Sequence, residues 1–425
     1  MLVRCKITPK LIEMHVQKEK KMKTQVVQPT NQVHSTISSM AVNVQASATP
    51  RMLFIDNIRV YLTILVILHH LMITYAGTGS WMYVEHRADL ATEVVGSIFT
   101  TVNQAYFMGL FLLISAYFVP GSYERKGTWR FLKDRLLRLG IPLVVYSWII
   151  HPLIMFGVLH TVEGKRISFW QFFPSAYFGS GYLIGQGPLW FVETLLIFTL
   201  VYVAIRKLFS PRSTQPITES SFPSNFAVCL FALVVGLITF VIRLWFPADW
   251  NFKPLNLQFP YFPGYIAMFL AGFAAYRHNW FSTMPDATGR RWLWASGIIL
   301  LIGYPIALIF GGAMENDTVF KGGLYWQAIF LAIMSSYLMV GFSIGVLYLF
   351  RRYANRQGWF SHWLVPNAYT AYIIHAPVIV LMAIAMRGLD FYPLLKFTLA
   401  ALISLPLCFG LSILIRKLPY ADRVL

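Results

Sequence analysis

Runs of about twenty apolar residues, separated by short polar or basic stretches, recur along the chain from residue 52 almost to its end. A bilayer core about 30 Å thick is crossed by roughly 20 residues of helix. Read as helices, the runs give ten spans: 53 to 76, 93 to 119, 139 to 159, 188 to 206, 225 to 246, 260 to 277, 292 to 312, 326 to 350, 364 to 386 and 394 to 415. The pattern predicts an all-α, polytopic integral membrane helix bundle of about ten transmembrane helices, forming one domain over residues 51–425. Residues 1–50 break the pattern. They are rich in Lys, Gln, Ser, Thr and Val and contain no apolar run, which predicts a disordered basic tail with no cleaved signal peptide.

Composition agrees with lipid as the main solvent, because 57% of residues are hydrophobic and 12% charged, where a soluble domain carries roughly a quarter charged. The net charge of +18 raises the question of nucleic acid, and the distribution of that charge answers it. Eight Lys and Arg precede the first span, six follow the second, and three follow each of the fourth, sixth, eighth and tenth. The opposite connections share Arg87, Lys165, Arg166, Arg243, Lys253, Lys321, Arg387 and Lys396, and Arg59 lies in the first span. Cytoplasmic loops are the ones enriched in Lys and Arg. Both termini are therefore expected to be cytoplasmic, with an even number of spans and a lipid bilayer rather than nucleic acid as the partner. Cys5, Cys229 and Cys408 are far apart and suggest neither disulfides nor a metal site.

Ionisable residues inside spans are costly in hydrocarbon and mark functional cavities or pairs. The first span is the densest in them, with Asp56, Arg59, His69 and His70, and it also holds the polar Asn57. Eleven residues of helix bring His70 to within about 20° of the face of Arg59 and about 16 Å along it, whereas His69 points about 80° away. Asp56, three residues before Arg59, is placed to meet it. The bland alternative is an ion pair at headgroup level and a histidine bonded to a carbonyl. Glu193, in LWFVETLLIF, and His375, in NAYTAYIIHAPVI, are further ionisable groups within spans.

An arginine, ten residues and a histidine in the first helix resemble the membrane-bound acyltransferase 3 family. Other pieces match it in the same order. MGLFLLISAYFVPGSYERKG resembles the family's Ser-Gly-containing end of the second helix, with Ser115 followed here by Ala116. RFLKDRLLRLGIP resembles its cytoplasmic Arg-x-x-Arg segment, met by Arg135, Arg138 and Pro142. GPLWFVETLLIF resembles its Leu-Trp-Phe segment, and NAYTAYIIHAPVI its final histidine-bearing helix. The resemblance spans about residues 51 to 415 and is nearest to the branch containing the periplasmic glucan succinyltransferases. It implies a multi-pass O-acyltransferase, in a membrane of the bacterial plasma-membrane type, that moves acetyl or succinyl groups from a cytosolic acyl-CoA to an extracytoplasmic carbohydrate or related acceptor.

The chemistry fits these residues. A hydroxyl attacks a thioester only when a base takes its proton. His70 is the candidate base or acyl carrier, with Arg59 and Glu193 beside it in the catalytic set. The donor's phosphates call for guanidinium groups, so Arg59, Arg135 and Arg138 are expected to hold acyl-CoA, helped by His375. His69, Ser115, Trp81 and Trp190 are the expected acceptor contacts, although aromatics at that depth also form ordinary interfacial belts. Arg59 and His70 are expected to project into one enclosed cavity, and whether Glu193 and His375 open onto it too is the question put to the structure. A proton-coupled or solute transporter would use the same buried Arg, His and Glu, and remains the alternative reading.

Overall fold

The computed structural model describes residues 51–85, 89–178, 185–209, 220–252, 255–313 and 315–425. The expected tail therefore lies outside the described residues. Those residues are helical almost throughout, with one isolated bridge between Phe252 and Leu257 as the extended structure among them.

The helices in chain order are α1 (Leu53–Ala76), α2 (Leu90–Tyr117), α3 (Val119–Thr161), α4 (Phe169–Phe178), α5 (Gly187–Phe209), α6 (Asn225–Arg243), α7 (Phe262–Arg277), α8 (Asp286–Phe310), α9 (Trp326–Tyr353), α10 (Trp359–Ala385) and α11 (Pro393–Ile415). Nine helices among the described residues, all but α4 and α7, are long and apolar enough to cross a membrane. The remaining expected span, 260 to 277, corresponds to α7, a helix of 16 residues that follows a short turn at Phe259–Tyr261. Expected ends mostly agree to within a few residues. The third span differs, because α3 begins twenty residues earlier and runs for 43, interrupted by a kink at Gly127 (φ 71°). Its basic segment, read as a connection, is helical and joins the apolar part through two π-helical turns, Leu136–Gly140 and Tyr146–Ile150. Extra residues in such turns let a long helix bend without losing its backbone bonds.

Burial orders the bundle. In α1, 72% of the apolar window is buried, against 11% in α8, so α1 is the central helix and α8 turns Trp294, Ile298, Leu301, Ile302 and Ile306 outward. Lipid is as apolar as these side chains, so nothing drives them inward and helix contacts rely on close backbone approach instead. Gly272 of α7 supplies one such approach: a Cβ there would come 2.4 Å from the Leu113 carbonyl oxygen of α2. α1 itself packs against α2, α9, α10 and α11.

Two ends of the bundle are fixed by polar contacts. At the end where α1 begins, Asn57 donates to the carbonyls of Ala354 and Arg356 between α9 and α10 (2.7 and 2.9 Å), and Arg351 and Arg352 pair with Asp286 (2.6 and 2.8 Å). This is the basic end. At the other end, Arg387 donates to the Thr161 carbonyl (2.8 Å), and Lys396 pairs with Glu85 (2.6 Å) in a nearly buried contact.

Candidate active site

α1 ends in a left-handed turn at Gly77 (φ 70°), whose N–H bonds the Ile73 carbonyl at 3.1 Å, the usual way a glycine closes a helix. The chain then folds back over the end of the helix. The Glu85 N–H reaches the Thr74 carbonyl at 2.8 Å, and the Glu85 side chain is held by Lys396. Between these anchors, Trp81 lies stacked on His70 with ring centroids 4.0 Å apart.

His70 is tied from the other side by α10. Its Nδ1 lies 3.0 Å from the Val66 carbonyl and 3.2 Å from Nε2 of His375, and His375 Nδ1 meets the Tyr372 carbonyl. Carbonyls only accept, so these contacts determine the tautomers. His375 carries its proton on Nδ1 and leaves Nε2 as an acceptor. His70 therefore donates from Nδ1, and its Nε2 is an unprotonated base. The rings of His375, His70 and Trp81 form a stack, with His375 fully buried.

His70 borders a cavity of about 810 Å³ together with His69, Trp81, Trp190 and Tyr372. Amide side chains (Gln104, Gln186, Asn251, Asn256, Gln258) and the rings of Tyr261, Tyr265 and Tyr304 also line it. Several lining residues belong to the connections after α1, before α5 and after α6, so the mouth is at the end opposite the basic one. Amides beside aromatic faces suit a polyhydroxylated ligand, which presents hydroxyls at its edges and C–H groups on its faces.

A second group of side chains occupies the basic end. Arg59 pairs with Asp56 at 3.3 Å and lies over the Phe118 ring at 4.8 Å. Arg135 is within electrostatic range of both Arg138 and Arg59, and the Tyr369 hydroxyl bonds the Arg138 carbonyl. The three arginines expected to act together are thus adjacent, though they come from α1 and α3.

Among the described residues, the lining of this cavity does not bring Arg59, His70, Glu193 and His375 together. The described lining includes His70, but not Arg59, Glu193 or His375, and His375 lies behind it against His70, Trp81 and Tyr372. The eleven-residue offset puts Arg59 about three turns below His70, where its guanidinium turns toward Asp56 and Phe118. Glu193 lies three residues beyond Trp190 on α5, buried, with Oε2 lacking a hydrogen-bond partner. Ser115, expected among the acceptor contacts, is in the last turn of α2, three residues before Phe118 and away from the cavity. Among the described residues no group of three His, Cys, Asp or Glu is placed to hold a metal ion.

Several cavity residues were not evident from the sequence: Arg243, Tyr265, His151 and the amide residues. Arg243 carried a usable signal, since an arginine closing an apolar run on the side poor in arginine departs from the positive-inside pattern.

The model of an acyltransferase domain, acyltransferase 3, matches residues 52–415. The chain belongs to the acyltransferase 3 family. Its relatives include glucans biosynthesis protein C of Salmonella schwarzengrund (strain CVM19633), 26% identical over 343 residues that cover 77% of this chain and 82% of the relative. Proteins of the same name from Salmonella paratyphi B and Salmonella enteritidis PT4 match to the same extent. As a member of the acyltransferase 3 family with nine apolar helices of spanning length among its described residues, the protein is a multi-pass membrane acyltransferase.

Proposed function

We propose that this acyltransferase takes an acyl group of acetyl or succinyl type from acyl-CoA on the cytosolic side and places it on a hydroxyl of a carbohydrate beyond the membrane. The observation that carries the reading is the unprotonated Nε2 of His70 beside a cavity whose mouth lies opposite the arginine group. In the proposed reaction, the acceptor hydroxyl gives its proton to His70 Nε2 as its oxygen bonds to the thioester carbon. The C–S bond then breaks, and the leaving thiolate takes from His70 the proton that the hydroxyl gave up. The products are an ester and free coenzyme A. His375 acts as a positioning residue, since its Nε2 and the Val66 carbonyl share the His70 Nδ1 hydrogen and keep it there while the His70 Nε2 works. The Trp81 face stabilises the imidazolium that forms.

Arg59, Arg135 and Arg138 would hold the donor's phosphates at the basic end, where paired hydrogen bonds from guanidinium groups suit them. The pantetheine arm would span the interval of about 16 Å along α1 by displacing side chains between the arginines and the cavity. Glu193, three residues beyond Trp190 on α5, would meet this arm, and its unsatisfied oxygen suits an amide N–H there. The tail and membrane domain, 1–50 and 51–425, are proposed as separate units with both termini on the cytosolic side.

Purified protein incubated with radiolabelled acetyl-CoA or succinyl-CoA and a soluble glucan oligosaccharide should transfer label to the sugar. His70→Ala, if it melts as the wild type does, should lose at least a hundredfold in rate, within the range expected for a general base. Solute flux through proteoliposomes in the absence of any acyl donor, with no label on sugar, would favour a transporter instead.

A further inference from the structure

Among the described residues, the far end of the bundle handles its cations in a consistent way, with one exception. Lys165 pairs with Glu163 (2.8 Å), Lys321 with Asp317 (2.9 Å) and Lys396 with Glu85 (2.6 Å); Arg387 donates to a carbonyl, and Arg166 is exposed. Arg243, at the last position of α6, is 3% exposed, and its Nε and Nη1 are buried without a hydrogen-bond partner. Its guanidinium lies 5.3 Å from the centre of the Tyr261 ring, which holds the plane of the group in place. The Tyr265 hydroxyl, within electrostatic range, is likewise buried with no partner.

All three side chains line the cavity that contains His70. Among the described lining residues there is no Asp, Glu or Lys, and Arg243 is the one arginine. A buried guanidinium is permanently charged and costly to leave uncompensated, so it calls for an anion. Its unpaired N–H groups and the Tyr265 O–H are all donors, which suits an oxyanion and not a second donor. One cation in an otherwise uncharged lining matches a single negative charge. That favours a carboxylate over a doubly charged phosphate.

We propose that Arg243, with Tyr265, forms a carboxylate-binding subsite of the acceptor cavity, so that the molecule handled at His70 carries an anionic group. The carboxylate has two possible sources, the acceptor sugar or the far end of a dicarboxylic acyl chain. The proposal rests on the cavity being the acceptor site, but it is tested by binding alone, so a failure of acyl transfer and a failure of the subsite remain distinguishable.

The test is calorimetric titration of the full chain in detergent with two matched pairs of probes. Methyl glucuronide against methyl glucoside represents an anionic acceptor, and monomethyl succinate against methyl succinamate represents an anionic acyl chain. At least one anionic probe should bind wild-type protein at least tenfold more tightly than its neutral partner. Arg243→Gln should erase that preference while leaving the neutral probe's affinity unchanged, which also shows that the variant is folded. Arg243→Lys should restore part of it. Preference for glucuronide assigns the charge to the acceptor, and preference for monomethyl succinate assigns it to the acyl chain. Equal binding of both members of each pair by wild type, or an anion preference that survives in Arg243→Gln, overturns the proposal.

Discussion

His69 and His70 are neighbours in sequence and differ by about 100° of helical rotation, and that rotation separates their chemistry. Both border the cavity. His69 turns toward Phe107, with Nδ1 buried and unpartnered, whereas His70 is bonded through His375 and stacked under Trp81. A base acting through Nε2 can be replaced from solution. Added imidazole should restore part of the acyl transfer lost in His70→Ala, and should do nothing for a variant that has lost its fold. His375→Ala should lower kcat at least tenfold with little change in KM and should alter the pH profile. His375→Gln, whose side-chain oxygen can accept from His70 Nδ1, should recover part of kcat; equal kcat in the two variants would contradict the positioning role. The Arg59 and His70 pair was legible because both lie on one helix at a spacing that geometry converts directly to a face and a distance. The His375 contact was not, because it crosses 305 residues of sequence. Arg243 was hidden for another reason: a cation at the end of a span looks like a loop charge until its burial is known.

At the scale of the helices, hydrophobic length was legible, but not where one element stops being a connection and becomes a helix. The basic segment around Arg130 to Arg138 is polar enough to pass for a loop, yet it forms the first part of α3 and carries Arg135 and Arg138 to the arginine group. Likewise, 77–85 gave no sign that it would fold back onto α1. Its position depends on Lys396 of α11 and Glu85, whose side chains are 5% and 12% exposed. Removing one member of a buried pair leaves the other uncompensated, at a cost of about 3–5 kcal/mol. Lys396→Met should therefore lower the melting temperature sharply, and the double variant Lys396→Met with Glu85→Gln should recover much of the loss. Gly272 sets a different limit. Gly272→Leu should cost about 1–3 kcal/mol by forcing α7 and α2 apart, read as a lowered midpoint in thermal unfolding.

For the molecule as a whole, the account is one of separation. The arginine group and the cavity mouth lie at opposite ends of a bundle centred on α1, and the base stands between them. The charge count along the sequence anticipated two distinct ends, because the basic connections alternate with the poorly basic ones. It did not anticipate that the described lining of the cavity would include His70 and not the arginines, since that depends on how the helices pack. A fluorescent protein fused after Leu425 should fold and fluoresce on the cytosolic side, whereas an alkaline phosphatase fused there should be inactive; the reverse pattern would contradict the proposed topology. The arrangement as a whole is tested most directly in vesicles loaded with a glucan oligosaccharide, with the protein inserted basic end outward and radiolabelled acyl-CoA supplied on the outside. Labelled sugar should accumulate in the lumen with wild-type protein and not with His70→Ala. Labelling that occurs only when donor and acceptor share one compartment would contradict the account.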